Sequence, residues 1–220
     1  MDWVLLAGLV IVAVFVFLFR SLLKSLAVIV LVLLLLFVGY AAFFSQQRET
    51  IGVVGGVHEH ANLLVVFDGQ ILNLSQQNYT TSEGRVLSNF IHLHDGDGGV
   101  IHKHASGVTL EYLFDSLGMA FNETCFVTDD GVASCTNTEK RLAMYVNGRE
   151  NTQYQHYEPQ DLDRILIVYG AGTEENIKTS LAQVPDDACI YSERCPERGK
   201  PPEEASCIGS DCAAEGVDHD

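Results

Sequence analysis

The chain has 220 residues, is 47% hydrophobic and carries a formal net charge of -16. The apolarity is concentrated in residues 1–44, whose only charges are Asp2, Arg20 and Lys24, so residues 45–220 hold 11 basic and 28 acidic side chains. A field of that sign argues against nucleic acid or an anionic lipid surface as partner and is compatible with the attraction of cations.

Two apolar runs open the chain, Trp3–Phe19 and Leu26–Phe44, separated by Arg20 and Lys24. A helical span needs about 17–25 residues, and one helix through both runs would be about 60 Å long, twice a hydrocarbon layer of ~30 Å. The expectation is a transmembrane helical hairpin over 1–44. The positive-inside rule places its Arg/Lys turn in the cytoplasm and everything after Phe44 outside. Two features agree with an extracytoplasmic domain on a cell membrane. Six cysteines, Cys125, Cys135, Cys189, Cys195, Cys207 and Cys212, form the even count of a disulfide framework. Three sequons, at Asn73, Asn78 and Asn122, would accept glycans on an exported surface.

After a linker over 45–56, Val57–Phe67, Asp68-Gly69 and Gln70–Leu74 read as strand, turn and strand. The run begins with a histidine dyad, His58-Glu59-His60. Residues 90–105 contain two further dyads, His92/His94 and His102/His104, on either side of Asp95-Gly96-Asp97-Gly98-Gly99. Histidines two apart share one face of a strand, and the Asp/Gly cluster is a hairpin turn. Symmetry about Gly98 would pair His94 with His102 and His92 with His104, with Ile91, Leu93 and Ile101 on the opposite face. Glu59 would face away from its neighbours, and Asp95 and Asp97 are accounted for by turn geometry.

Val108–Met119 carries leucine and phenylalanine at helical spacing, with Thr109 as cap and Gly118 as stop. Cys125–Cys135 reads as a hairpin around Asp129-Asp130-Gly131 that sets the two cysteines opposite each other for a disulfide. Arg141–Asn147 and Arg164–Tyr169 read as strands, and Thr173–Val184 as a short capped helix. The acidic tail after Asp186 holds four cysteines, with three possible pairings; their spacings are not those of a zinc ribbon.

Within this stretch, TLEYLFDSLGM, RLAMYVNG and DLDRILIVYG resemble the second half of a ubiquitin-like β-grasp domain of the small sulfur-carrier type. The resemblance covers residues 108–170 and implies that the histidine hairpin is the N-terminal hairpin on which the helix packs. The carrier chemistry is not implied, because the chain runs on for nearly fifty residues past Gly170-Ala171-Gly172. The chain also resembles membrane-anchored prokaryotic, archaeal-type proteins with repeated HxH dyads and a CPERG tail (here Cys195–Gly199), a likeness that implies no activity. The expected fold class is therefore α+β. It comprises a β-grasp-like mixed sheet with one packed helix over 57–172, preceded by the transmembrane hairpin and followed by a short helix and a disulfide-rich irregular tail over 173–220.

Imidazole suits zinc, copper(II), nickel and iron, and no thiolate or thioether lies near the dyads in sequence. The candidate ligands are His58, His60, His92, His94, His102 and His104. The expected function is a membrane-anchored extracytoplasmic module binding zinc or copper(II). The alternatives are a surface interaction or assembly module without metal, and a His-ligated metalloenzyme. The enzyme is the weaker reading, because no HExxH string, nucleophile elbow or phosphate loop is present. Whether His58/His60 join the hairpin depends on whether strand 57–67 lies beside it.

Overall fold

The structure is a computed structural model, and it describes residues 26, 28–40, 50–82 and 84–201. The chain divides into two compact units, 1–49 and 50–220. In the first, residues 28–40 are helical, about 20 Å of helix at 1.5 Å per residue. Among the described residues no helix is long and apolar enough to cross a membrane. This overturns the transmembrane hairpin expected over 1–44: the described helix falls short of a ~30 Å layer. Trp3–Phe19 and the Arg20/Lys24 turn lie outside the described residues.

The second unit is a mixed sheet with few helices. Its strands, in chain order, are β1 (Glu59–Phe67), β2 (Gln70–Ile71), β3 (Ile91–His94), β4 (Asp97–Lys103), β5 (Ala120–Phe121), β6 (Cys125–Val127), β7 (Ala133–Cys135), β8 (Arg141–Val146), β9 (Arg149–Glu150) and β10 (Arg164–Gly170). The main sheet runs β3-β4-β1-β10-β8-β9, with β2 also on β1; β5-β6-β7 form a small second sheet. The central pair, β1 and β10, is parallel, from Asn62↔Arg164 to Phe67↔Tyr169. Both strands are buried on both faces, which is why each reads as a nearly unbroken apolar run.

Alternation along β1 separates two cores. Ala61, Leu63 and Val65 join Ile91, Leu93, Ile101, Met144, Ile165 and Ile167 under helix α1 (Leu110–Ser116), which contributes Leu110, Leu113 and Phe114. Leu64 and Val66 face the other way with Ala143, Tyr145 and Leu166, where helix α2 (Glu174–Gln183) lays Ile177 and Leu181. Thr173 caps α2 through its hydroxyl. The chain then turns through buried Val184 into the short helix α3 (Ala188–Tyr191). The segment read from sequence as an irregular appendage thus covers the second face of the sheet as far as 201.

Two further expectations are corrected. The histidine hairpin does not open the sheet: β1 precedes it and is central, while β3 forms the edge. Its register is not centred on Gly98 either. Asp95 and Gly96 take the two left-handed positions of a tight turn (φ 45° and 80°), so His94 pairs with Asp97 and His92 with His102. An irregularity between Leu93 and His94 absorbs the extra residues of β4. Gly98 serves another purpose, since a Cβ there would lie 2.3 Å from the Leu74 carbonyl carbon. Cys125 does face Cys135 and bonds to it, and Cys189 is bonded to Cys195. Cys207 and Cys212 lie outside the described residues.

Candidate metal centre

The antiparallel ladder between β1 and β4 sets Glu59 against Lys103 and His60 against His102. The β3–β4 ladder sets His92 against the same His102. His102 is therefore flanked at one level by an imidazole from each neighbouring strand. The dyads that sequence spacing left as separate features all meet on one face. Ring centroids lie 4.8 Å apart for His60–His102, 4.7 Å for His58–His60, 5.1 Å for His58–His104 and 5.0 Å for His92–His104. His94 stands 5.5 Å from both His92 and His102. One ligand atom from each of His58, His60 and His102 can be chosen so that all three lie within 4.8 Å of one another. His60 and His102 are buried, whereas His58 is exposed.

Three of the rings have Nδ1 held by an outer partner. His92 Nδ1 donates to the Ser88 carbonyl at 2.7 Å, and His94 Nδ1 contacts the Asp95 carboxylate at 2.8 Å. His60 Nδ1 is 2.9 Å from the Ser192 hydroxyl, which donates to Asp161; that carboxylate also accepts from the His60 backbone N–H. A hydroxyl already donating to a carboxylate accepts from the ring, so Nδ1–H is the donor. A neutral ring held in this way carries its lone pair on Nε2. Metal-binding histidines are oriented and made more basic in this way. Burial is the main cause that lowers the pKa of His92 from 6.5 to about 3, with the neighbouring imidazoles adding to it, so the ring stays neutral at ordinary pH and its lone pair is available.

The tail closes the site. Tyr191 packs its ring 5.6 Å from His60 and 5.1 Å from His102, and its hydroxyl donates to Asp97. Asn62, next along the histidine face of β1, donates to Asp187 and accepts from the Ala188 N–H. Tyr191, Ser192 and Asp161 were not singled out from sequence, and no spacing could have revealed them, because Asp161 and Ser192 lie 101 and 132 residues from His60. Asp95 and Asp97 do shape the turn, yet each also supports the cluster.

Glu59 points to the opposite face, where its carboxylate lies 2.7 Å from Lys103 Nζ. Lys103 is buried and also meets Glu158 at 2.9 Å, so this triad is an ion-pair network behind the imidazoles. His156, in a 3-10 turn over Tyr154–His156, is exposed beside Glu111 and Gln155. His219 lies outside the described residues.

Two imidazoles on one tetrahedral ion, with metal–nitrogen bonds of about 2.0–2.1 Å, hold their donor atoms about 3.3 Å apart. The His58/His60/His102 group, with donor atoms up to 4.8 Å apart, therefore needs to contract by as much as about 1.5 Å. Comparison with protein-family models, with curated proteins and with solved structures found no match to this chain.

Proposed function

We propose that residues 50–201 form a metal-binding domain that takes a borderline divalent cation, zinc or copper(II), on imidazoles centred on His102. The observation that carries this reading is the convergence of His58, His60 and His102, with ligand atoms within 4.8 Å of one another. Neutral nitrogen donors without thiolate suit these two ions. His58 at the exposed rim gives the ion a way in, and the net acidic chain raises the local cation concentration. The two disulfides support a working place in an oxidising, extracytoplasmic compartment. The domain reads as a carrier, buffer or structural metal site rather than an enzyme, because Tyr191 and Ser192 sit on the imidazoles where a substrate would approach.

The test is elemental analysis of the full chain, purified after exposure to zinc or copper(II). Stoichiometric metal is expected, with affinity lowered at least about tenfold in His102→Gln. Metal-free protein under replete conditions, or a His102→Gln variant that binds as tightly as the parent, would refute the reading.

A further inference from the structure

We propose that the histidine face holds two metal ions, the second on His92 and His94 of β3, with the β4 dyad His102/His104 giving one imidazole to each ion. This rests on the metal-binding reading above and extends it.

Six imidazoles form a closed circuit. From His58 it passes to His60 (4.7 Å), His102 (4.8 Å), His94 (5.5 Å), His92 (5.5 Å), His104 (5.0 Å) and back to His58 (5.1 Å). A tetrahedral ion uses at most four, so a single ion leaves at least two of these rings without a role. With His102 given to His58 and His60, His92 keeps His94 at 5.5 Å and His104 at 5.0 Å for the second ion. Rings bound to one tetrahedral ion have centroids about 5.2 Å apart, given metal–nitrogen bonds of about 2.0–2.1 Å. Both spacings are within a few tenths of an ångström of that size before any adjustment. The His92/His94 dyad lies on the β3 side of His102, and the His58/His60 dyad lies on the β1 side.

Each outer dyad also has its own support. His92 and His94 are anchored through Nδ1 by Ser88 and Asp95, and His60 by Ser192 and Asp161. Both ends are therefore prepared to offer Nε2. A neutral imidazole has one lone pair and serves one ion, so a division of three rings to each end uses all six. Charge is met as well. Asp95 lies behind His94, Asp161 behind Ser192, and Asp97 behind Tyr191, so three carboxylates stand behind the cluster and offset most of the charge of two dications.

The experiment loads the full chain with copper(II), and separately with zinc, removes the excess by gel filtration, and measures metal per chain. Two equivalents are expected in the parent and one in each of H58Q/H60Q and H92Q/H94Q. The copper-loaded parent should show dipolar broadening in its electron paramagnetic resonance spectrum from two neighbouring ions, absent from both double variants. One equivalent in the parent, with an isolated-copper spectrum, overturns the second ion and leaves the single-site reading standing. No metal at all overturns both. Two equivalents retained by H92Q/H94Q would put the second ion elsewhere and also refute the assignment. Where a double variant fails to fold, the parent's stoichiometry and spectrum decide alone.

Discussion

At His92 a side chain chemically suited to water is buried among other imidazoles, and its proton inventory has a cost that can be measured. The folded chain holds this ring near a pKa of about 3, while the unfolded chain returns it to about 6.5. The native state thus binds fewer protons than the unfolded state across that interval. Its contribution to stability is complete above about pH 6.5 and is lost as pH falls toward 3, by an amount of the order of several kcal/mol. In chelator-treated protein the melting temperature should fall across this window, and more steeply in the parent than in His92→Gln. Parallel profiles for the two proteins would mean that His92 is not the group being charged. Bound metal competes with the same protons and should move the fall to lower pH.

Among the elements, the two disulfides clip different things. Cys125–Cys135 closes the hairpin of β6 and β7, and removing it should cost about 2.7 kcal/mol in the chain-entropy model while leaving metal content unchanged. Cys189–Cys195 brackets Tyr191 and Ser192, the residues that touch His60 and His102. A Cys189→Ser/Cys195→Ser variant should therefore release metal faster than the parent, as seen by chelator competition; an unchanged off-rate would show that the cap holds without its clip. This contrast also marks what could be read from sequence. The period-2 histidines, the apolar reverse of the hairpin at Ile91, Leu93 and Ile101, the helix after Thr109 and the facing cysteines of β6 and β7 are local patterns, and local patterns survive in a single chain. The register of β3 on β4 was hidden because DGDGG offers several turns. Only the packing of Gly98 against Leu74 reserves that glycine and leaves Asp95-Gly96 to make the bend. The cap over the imidazoles was hidden because it is a contact between residues 60, 161 and 192, with nothing periodic to announce it.

For the whole molecule, the sheet divides its labour between faces and ends. One face is hydrocarbon under α1; the other is hydrocarbon only beneath α2 and becomes imidazole and amide beneath α3. The membrane hairpin expected at the head of the chain has no counterpart among the described residues, and the imidazoles lie within the second unit. One consequence follows from the ladder that joins β4 to β1. It spans only Glu59–Asn62 against Val100–Lys103, after which the same edge of β1 passes to β2. The histidine hairpin therefore hangs on the sheet by four residue pairs, whereas β10 is paired along nearly its whole length on both sides. Metal bound across β1, β3 and β4 would act as a rivet through the weaker seam. Amide deuterium uptake should then slow on loading chiefly at 91–104, with little change in β8 and β10. Equal slowing throughout the domain would instead describe an ion that stabilises the fold as a whole and fastens no seam.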